Sequence, residues 1–529
     1  MNYESQKKVA CIGIGGGGVY FVAKFFLHLG VPVYGFDITK SEKTEELEKL
    51  GARITYQNPK GRLEDGTTLF VYSPGLPNQI LDVLLNENQN IEHYDVGEFT
   101  TTLQHAFEAK ILSESEVSAF HNSNIAPLYS IDSKKMTYIA VTGTDGKTST
   151  STMIYHLLKK AGFKPGLVST VSAKIGEEEI DTGFHTTTPS AQELHTLILK
   201  LEAAKCTHAI IEVTSHGLAM GRIPGLKFHA IAYTNITSEH LDYHKTWENY
   251  YAAKELLLTE HTFPTSAVIL NKDDRSYAPL LAQATRLSRK ILSYSIHDAT
   301  ATLFAEKITE TPYLAFMVEN TYCELPILGL YNVSNALAAI ATVAAVQDLP
   351  VTKIAPHLSD FETVTGRMQV MQDIPFKVIV DFAHTANALT NALTAMRKIL
   401  PQGKKLIVVF GCAGKRDATK REPMGEAAGK FADISLLTAE DPRTERLQDI
   451  NDAIASGWKR TATPEKQLIR FDDDSLLTEV RKQAIEKALE LAQEGDIVLI
   501  AGKAHEQSLC FGTTEYPWND IDMVNQLLS

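Results

Sequence analysis

The chain has 529 residues, of which 44% are hydrophobic and 22% charged, a composition ordinary for globular proteins and too long for a single core. Its formal net charge of −13 disfavours nucleic acid and anionic membrane surfaces as the main partners. The five scattered cysteines, the lack of a secretory signal pattern and the lack of a run of roughly 18 apolar residues predict a cytoplasmic protein with reduced thiols and no membrane insertion.

The first part of the chain, residues 1–105, alternates strand and helix patterns. Strands are predicted at 9–12 and 31–36, with a helix at 19–29 between them, and this order implies a parallel sheet. A literal GxGxxG turn that includes Gly15 and Gly16 follows the first strand, and Asp37 follows the second. Taken alone, the pattern predicts a dinucleotide-binding Rossmann domain or merely a tight turn.

Residues 106–135 are polar and lack a strong period, so we predict a connector. A central domain at 136–350 follows, with strands at 138–141, 209–213, 230–233 and 267–270 and helices at 149–160 and 335–346. The last domain, 351–529, has predicted strands at 377–380, 405–410, 434–437 and 497–501 and a long helix at 475–494. The predicted fold is α/β with three domains: a Rossmann-like N-terminal domain, a central ATPase-type domain with a parallel or mixed sheet, and a Rossmann-like C-terminal domain.

A glycine-rich turn between the first strand and the first helix of the central domain predicts a phosphate-binding loop. Backbone N–H groups of such a turn converge on phosphate oxygens, a lysine reaches the terminal phosphates, and a hydroxyl can ligate Mg²⁺. Val141 stands where the generic pattern has its first glycine, so the loop is a variant, and the alternative is a turn with a chance Gly-Lys-Thr. The predicted ATP-binding residues here are Gly143, Thr144, Asp145, Gly146, Lys147, Thr148 and Ser149.

Polar residues follow the later strands of the central domain. Glu212 ends a buried strand, where a carboxylate can face Mg²⁺ bound to phosphates. His240 and His244 are four residues apart, a spacing that is compatible with zinc but more typical here of a loop. Each feature alone is more often structural than functional; their order after one phosphate loop favours a common site.

Ten segments together resemble the Mur ligases: GTDGKTST (143–150), HTTTP (185–189), EVTSHGLAMGR (212–222), NITSEHLDYHKTWENYYAAK (235–254), GLYNVSNALAA (329–339), GRM (366–368), DFAHT (381–385), GCAGKRD (411–417), EDPR (440–443) and GKAHE (502–506). The resemblance covers about residues 136–529 and is greatest to members that add the third peptide residue. It implies an ATP-dependent ligase of peptidoglycan precursor synthesis, which serves cell-wall formation, cell shape and division. Such an enzyme joins meso-diaminopimelate or L-lysine to UDP-MurNAc-L-Ala-D-Glu through an acyl phosphate.

The resemblance also implies roles for individual residues. The catalytic set is Lys147, Glu212, His240 and Lys254, and Mg²⁺ is held by Thr148, Glu212, His240 and Lys254, the last as a carbamate. Further nucleotide contacts are Asn332, Arg367 and Asp381, with His384 nearby. Structural alternatives are a solvated helix lysine for Lys254, an interdomain salt bridge for Arg367 and a strand-end cap for Asp381.

The two other substrates have their own implied contacts. The incoming amino acid is expected at Arg416, Glu440, Asp441, Pro442, Arg443, Gly502 and Glu506. The UDP substrate is expected at Thr187, Thr188, Thr214 and Arg222 and, in the N-terminal domain, at Gly15, Gly16 and Asp37. That domain resembles those of the Mur ligases that add the first two residues, so the chain looks like a hybrid.

Two departures from the family pattern affect the amino-acid site. Asp441 stands where an asparagine is usual, and Ala504 stands where a glycine is usual. Retained Arg443 favours meso-diaminopimelate, whose second carboxylate needs a cation, whereas Asp441 would repel that carboxylate and leaves L-lysine open. Remaining alternatives are another Mur-type or polyglutamate-type ligase, a nucleotide switch or a dinucleotide-binding oxidoreductase. We expect a monomer.

Overall fold

The computed structural model describes residues 3, 6–15, 17–57, 59, 61–73, 78–96, 99, 103, 113, 115–116, 135–180, 188–189, 191–223, 225–237, 239–311 and 313–529. Most of the predicted connector at 106–135 lies outside these ranges. Three large sheets with helices packed on them confirm the predicted three-domain α/β fold. Among the described helices, none alone is long and apolar enough to cross a membrane, and two that pass together are bent by 109° at their junction.

The N-terminal sheet, as far as it is described, has five strands in the order β3-β2-β1-β4-β5, all parallel. The glycine turn follows β1, whose two neighbours in the sheet are β2 and β4, so the turn lies where the strand order reverses. The elements are β1 (Val9–Ile12), α1 (Gly17–His28), β2 (Val33–Phe36), α2 (Glu42–Lys49), β3 (Arg53–Thr55), β4 (Leu69–Tyr72), α3 (Asn78–Glu87) and β5 (Glu92–Asp95).

The central sheet has nine described strands in the order β14-β13-β12-β11-β6-β10-β7-β8-β9, and its pairs are parallel except that β8 is antiparallel to both of its neighbours, β7 and β9. Its elements are β6 (Thr137–Thr142), α4 (Lys147–Lys160), β7 (Pro165–Val168), β8 (Ala173–Ile175), β9 (Glu178–Ile180), α5 (Ala191–Ala203), β10 (His208–Glu212), α6 (Ser215–Ala219), β11 (Phe228–Tyr233), α7 (Leu241–His244), α8 (Trp247–Glu260), β12 (Thr262–Asn271), α9 (Tyr277–Arg286), β13 (Lys290–Ser295), β14 (Leu303–Phe304), β15 (Glu306–Thr309), β16 (Leu314–Val318), β17 (Thr321–Leu325) and α10 (Tyr331–Gln347).

Helix α10 explains the alanine-rich segment of the sequence. Its buried apolar side chains, half of them alanine, join those of α4 in one apolar cluster under the sheet. Small side chains allow the two helices to lie close together, and this fixes α10 beside the loop that opens α4. The antiparallel sheet β15-β16-β17 was not predicted from the sequence.

The C-terminal sheet has six described strands in the order β18-β19-β23-β20-β21-β22, and only β18 at one edge is antiparallel. The elements are α11 (Val351–Ile354), a 3₁₀ turn (Ala355–Asp360), β18 (Gln369–Gln372), β19 (Lys377–Asp381), α12 (Ala386–Ile399), β20 (Leu406–Phe410), a 3₁₀ turn (Ala418–Lys420), α13 (Arg421–Phe431), β21 (Ile434–Leu437), α14 (Leu447–Thr461), β22 (Gln467–Arg470), a 3₁₀ turn (Asp474–Leu476), α15 (Thr478–Leu491), β23 (Ile497–Ala501), β24 (Ser508–Phe511), β25 (Thr514–Pro517) and α16 (Asp520–Leu528). Each of the three large sheets lies within one proposed domain, although the domain limits stay a prediction.

Candidate active site

The phosphate loop connects β6 to α4, as predicted. Gly146 has φ 81° and is the N-cap of α4, which has no side-chain cap, so the first N–H groups of the helix are available to a ligand. A Cβ on Gly143 would lie 1.8 Å from Thr234 Oγ1 and one on Gly146 would lie 2.4 Å from Asn335 Oδ1. Both positions therefore require glycine, including the Gly143 that replaces the usual first glycine.

The segment after β11 holds this loop in place. Asn235 accepts the N–H of Asp145 through its Oδ1 at 2.9 Å and donates to the Asp145 carbonyl at 3.1 Å. The Asn235 carbonyl accepts the N–H of Thr144 at 2.7 Å, and Thr234 Oγ1 donates to the Asp145 carbonyl at 2.6 Å. Lys147 donates to the carbonyls of Gly143 and Thr144 at 3.1 and 2.8 Å, so its ammonium lies over the centre of the loop.

Glu212 lies beneath the loop at the end of β10, next to Val141 of β6 in register. Its carboxylate is fully buried and accepts three hydroxyl groups, from Thr148 at 3.2 Å, Ser151 at 3.2 Å and Thr170 at 2.9 Å. A buried carboxylate surrounded by hydroxyl oxygens is a donor set that suits a hard divalent cation.

Lys254 lies on α8 and is buried, not a solvated helix lysine. Its Nζ donates to the Gly143 carbonyl at 2.9 Å, contacts Thr142 Oγ1 at 3.4 Å and lies 4.9 Å from the centroid of the Tyr250 ring. Burial lowers the pKa of Lys254 well below its usual value, and the positive charge of Lys147 lowers it further. A neutral amine is the form that reacts with CO₂.

His240 borders the same loop and belongs to a group of imidazoles. Its ring centroid lies 4.6 Å from that of His216, and burial lowers the pKa of both, that of His216 to about 3. Neighbouring Glu239 is buried and lies 3.2 Å from His384 Nε2 of the C-terminal domain. The His240 segment therefore contacts both the loop and the third domain.

Arg367 and Asp381 bring the third domain onto the phosphate loop. Arg367 donates to Thr148 Oγ1 at 3.1 Å, and its guanidinium lies 4.6 Å from the centroid of the Phe382 ring. Asp381 caps the end of β19, since it accepts the N–H groups of Met368 at 2.7 Å and Ala383 at 2.9 Å. Burial raises the pKa of Asp381, although the charge of Arg367 opposes this.

Asn332, the expected adenine contact, lies near the start of α10. Its Nδ2 donates to the Leu328 carbonyl at 2.7 Å, and its Oδ1 accepts from Asn335 at 2.9 Å. Asn335 was not assigned a role from the sequence, yet its own Oδ1 accepts Thr150 Oγ1 at 3.3 Å and faces Gly146. Asn335 lies within the segment 329–339 that resembles the family, and this position is the feature of the sequence that could have identified it.

The residues expected to bind the UDP substrate lie in two places. Thr188 Oγ1 is 2.9 Å from Thr214 Oγ1, and Arg222 donates to the Thr188 carbonyl at 2.8 Å. In the N-terminal domain, Asp37 Oδ2 accepts the Gly15 N–H at 2.7 Å, so this carboxylate shapes the glycine turn. Thr187 and Gly16 lie outside the described residues.

The amino-acid residues lie on loops at the carboxyl ends of β20, β21 and β23. Asp441 Oδ1 accepts Lys503 Nζ at 2.8 Å and the Cys510 N–H at 2.9 Å. Lys503 also pairs with Glu506, and these two carboxylates raise its pKa although burial opposes the charge. The carboxylate of Asp441, which the sequence led us to expect to disfavour a second substrate carboxylate, is thus paired with Lys503, which it shares with Glu506.

The other amino-acid residues surround this ion pair. Arg443 has φ 55° and is held by the β24–β25 hairpin, since its N–H donates to the Cys510 carbonyl at 3.1 Å. Pro442 lies between Asp441 and Arg443, and Gly414 passes close against the Pro442 carbonyl. Glu440 is buried beside Gly502, and burial raises its pKa. Arg416 lies close enough to His216 to help lower the pKa of that imidazole.

A single cavity of about 380 Å³ joins the central and C-terminal domains. Its walls include the following predicted residues: Thr144, Asp145, Gly146, Lys147, Thr148, Ser149, Thr214, His240, Asn332, Arg367, Asp381 and Glu506. Gly143, Glu212 and Lys254 are not part of this lining: Gly143 begins the loop, Glu212 accepts the Thr148 hydroxyl and Lys254 donates to the Gly143 carbonyl. The described residues Gly15 and Asp37 do not line this cavity.

Two other residues at or beside the cavity were missed from the sequence. Asn387 of α12 lines the cavity and donates to Asp145 Oδ2 at 2.7 Å, and Lys420 donates to the carbonyl of the lining residue His384 at 2.8 Å. Lys420 lies three residues past the quoted GCAGKRD segment and Asn387 two past DFAHT, so the motifs ended just short of them.

Comparison with known proteins gives one family for all three parts of the chain. Residues 8–108 match the model described as Mur ligase family, catalytic domain; residues 141–343 match Mur ligase middle domain; and residues 366–504 match Mur ligase, glutamate ligase domain.

Curated relatives carry the same type of name. The UDP-N-acetylmuramoyl-L-alanyl-D-glutamate–2,6-diaminopimelate ligase of Cytophaga hutchinsonii is 37% identical over 402 residues, which are 76% of this chain and 79% of the relative. Ligase 1 of that name from Clostridium acetobutylicum is 32% identical over 411 residues, 76% of this chain and 80% of the relative. A solved structure of a ligase with this name superposes with a TM-score of 0.52 and 25% identity over 88% of this chain and 93% of that chain.

Proposed function

The chain belongs to the Mur ligase family, and from this premise we propose that it joins a diamino acid to UDP-N-acetylmuramoyl-L-alanyl-D-glutamate with cleavage of ATP. It is an ATP-dependent ligase that forms an amide bond. The observation that carries the proposal is the one cavity lined by the phosphate loop, by Arg367 and Asp381, and by Glu506. A phosphoryl donor, a carboxylate and an amine can therefore meet in one space.

ATP is needed because a carboxylate lacks a leaving group that an amine can displace. In our proposal an oxygen of the substrate carboxylate attacks the γ-phosphorus, which releases ADP and leaves an acyl phosphate. The amine nitrogen then attacks the acyl carbon, and phosphate departs as the amide forms and the amine proton is lost. The N–H groups at the start of α4 and the ammonium of Lys147 neutralise the phosphate charge throughout.

Mg²⁺ fits the oxygen donors beside the loop. We propose that Thr148 and Glu212 hold one ion, since their oxygens lie 3.2 Å apart in a buried, hydroxyl-rich setting. A carbamate on Lys254, together with His240, would hold a second ion. When bound, the metal supplies charge neutralisation for the phosphates. The low pKa of Lys254 supports the carbamate, because only an uncharged amine adds CO₂.

The paired charges of the amino-acid site support meso-diaminopimelate as the incoming substrate. Asp441 pairs with Lys503 through one oxygen, and its other oxygen lies 3.9 Å from Arg443 Nη2. The Arg443 guanidinium has no shorter ion pair among the described residues, so it can bind the second carboxylate of a diamino diacid. L-Lysine has no such carboxylate and would leave this cation unmatched. The relatives named above as diaminopimelate ligases agree with this choice.

The same proposal sets the cellular context. ATP and UDP-linked precursors are the substrates, so we place the reaction in the cytoplasm, in peptidoglycan synthesis. The oxidoreductase and nucleotide-switch alternatives leave Lys254 and the third-domain loops without a role, and the relatives are ligases.

The test is a reconstituted reaction with ATP, Mg²⁺, UDP-MurNAc-L-Ala-D-Glu and either meso-diaminopimelate, L-lysine or another amino acid. Phosphate release that requires both the nucleotide dipeptide and meso-diaminopimelate, with a product of the matching mass, is expected. Turnover with L-lysine but not with meso-diaminopimelate would reject the substrate choice. Phosphate release that needs no amino acid would reject the ligase proposal.

Two variants connect the activity to the proposed site. Lys147→Ala removes the ammonium over the loop and should abolish turnover, whereas Lys159→Ala, an exposed lysine near the end of the same helix, should leave it unchanged. Equal activity in both variants would show that the phosphate loop is not the ATP site.

A further inference from the structure

A buried ion pair lies behind the amino-acid loops and has no part in the chemistry described above. Arg481 of α15 and Asp520 at the start of α16 are both 0% exposed. Arg481 Nε donates to Asp520 Oδ1 at 2.8 Å and Arg481 Nη2 donates to Oδ2 at 2.7 Å, which is a bidentate pair. Burial disfavours both charges, yet each holds the other ionised: the pKa of Arg481 is raised and that of Asp520 is lowered.

The remaining donors of the guanidinium bind the ends of two strands. Arg481 Nη1 donates to the Ala439 carbonyl at 2.9 Å, and Nη2 donates to the Ala501 carbonyl at 3.0 Å. Ala439 directly precedes the loop 440–443, and Ala501 directly precedes the loop 502–506. Strands β21 and β23 are not neighbours, because β20 lies between them. One side chain therefore spans a whole strand to join the two loops.

Asp520 extends this connection to the second loop. Its Oδ2 accepts the N–H of Ala504 at 2.9 Å, and its Oδ1 accepts Trp518 Nε1 at 2.9 Å. Ala504 has φ 46°, a left-handed conformation that is unfavourable for a residue other than glycine. The carboxylate of Asp520 thus holds in place the alanine that departs from the family glycine.

We propose that Arg481 and Asp520 are positioning residues that fix the distance between the loops 440–443 and 502–506, and hence the affinity for the incoming amino acid. This inference rests on the proposed function, which places the amino acid between these loops. The expected nucleotide residues lie on β6–α4, on α10, just before β18 and on β19, and among the described residues none of them hydrogen-bonds to the Arg481 side chain. A change in loop spacing should therefore weaken amino-acid binding and spare ATP binding.

Arg481→Lys is the main test, since a lysine keeps the charge but cannot bind one carboxylate in a bidentate manner and two carbonyls at once. We expect the KM for the amino acid to rise about tenfold or more, because misplacement of a substrate by a fraction of an ångström has effects of this size. The KM for ATP should stay within about twofold of the wild-type value. Titration with a tightly binding ATP analogue measures the fraction of active enzyme.

Two control variants separate positioning from general destabilisation. Arg470→Lys changes an arginine in an exposed ion pair of the same domain and should alter neither KM. Ile454→Ala creates a cavity in the buried core beside α13 and should lower the melting temperature without a selective rise in the KM for the amino acid. Asp520→Asn keeps the shape and one acceptor oxygen, so it serves if Arg481→Lys does not fold.

The outcomes distinguish this inference from the proposed function. A wild-type chain that is inactive with every amino acid rejects the proposed function. An active wild type in which Arg481→Lys or Asp520→Asn raises both KM values equally, or lowers only kcat, overturns the positioning role. A selective rise in the amino-acid KM supports it.

Discussion

Replacing Lys254 by methionine should abolish ligation without lowering the stability of the protein. The Lys254 side chain is 1% exposed and has two acceptors for its amine, at 2.9 and 3.4 Å, too few for a buried ammonium. Its lowered pKa means that the native state binds fewer protons than the unfolded state. Methionine removes the cost of discharging the amine and keeps most of the volume, so the free energy of unfolding should stay equal or rise by about 1 kcal/mol.

The activity should change in the opposite direction. Loss of a charged metal ligand removes about 4 kcal/mol of transition-state stabilisation, which corresponds to a decrease in kcat/KM of about 10³-fold. Phosphate release with all three substrates measures activity, and thermal unfolding measures stability. Lys159→Met on the exposed face of α4 is the matched control and should change neither. Activity of Lys254→Met above about a tenth of wild type would refute the metal-site role, and a large decrease in melting temperature would refute the account of burial.

The pH dependence of stability tests the lowered pKa of Lys254 directly. Between the lowered native pKa of Lys254 and its usual value near 10.5, the unfolded state binds more protons, so this lysine makes stability rise with pH. Below the native pKa, Lys254 lowers the free energy of unfolding by its full amount, and above the usual pKa value it no longer contributes. Denaturant unfolding of wild type and Lys254→Met across this interval should show a steeper rise for the wild type; parallel curves would contradict the lowered pKa.

Three further changes have defined outcomes. Gly146→Ala should weaken ATP binding measured by calorimetry, because its Cβ would lie 2.4 Å from Asn335 Oδ1 in a backbone with φ 81°. Burial lowers the pKa of His208 from 6.5 to about 4, so on acidification the unfolded state takes up the proton first and the free energy of unfolding falls by up to ~2 kcal/mol at pH 5. His208→Asn should therefore flatten the decrease in melting temperature from pH 7 to 5. Asp441→Asn should alter the preference for meso-diaminopimelate over L-lysine by less than about threefold, measured as a ratio of kcat/KM, because the carboxylate is already paired with Lys503.

Each of these changes has a control and a contrary result. Gly162→Ala has a similar backbone strain, φ 87°, but no atom within 4 Å of the new Cβ, and it should leave ATP affinity intact; equal affinities for both glycine variants would reject the steric argument. An exposed histidine, His297→Asn, should leave the pH profile of melting unchanged, whereas identical profiles for His208→Asn and wild type would reject the burial argument. A switch of Asp441→Asn to a much stronger diaminopimelate preference would show that Lys503 does not compensate the charge.

The fold class and the phosphate loop were predictable because their causes are local. A buried strand, a glycine turn and a helix are adjacent in the sequence, and the positive φ angles of Gly143 and Gly146 belong to that turn. The main strands were predicted for the same reason, since apolar runs mark buried parallel strands. The roles of the individual site residues and the domain limits stay predictions.

The parts that could not be predicted depend on contacts between distant residues. Lys503 and Asp441 are 62 positions apart, and only the fold shows that one neutralises the other. Arg481 lies in a helix without any motif, and its function depends on carbonyl groups 20 and 42 positions away. The sheet β15-β16-β17 has short strands with weak alternation, so periodicity gave no signal for it.

The composition of the cavity wall has a consequence for substitutions in the first part of the chain. Every described residue that lines the cavity falls between positions 144 and 508, so residues 8–108 contribute none of the described lining. A substitution on the surface of that first part therefore leaves the described wall of the cavity unchanged in composition, whereas a substitution in the two later parts can alter the wall directly.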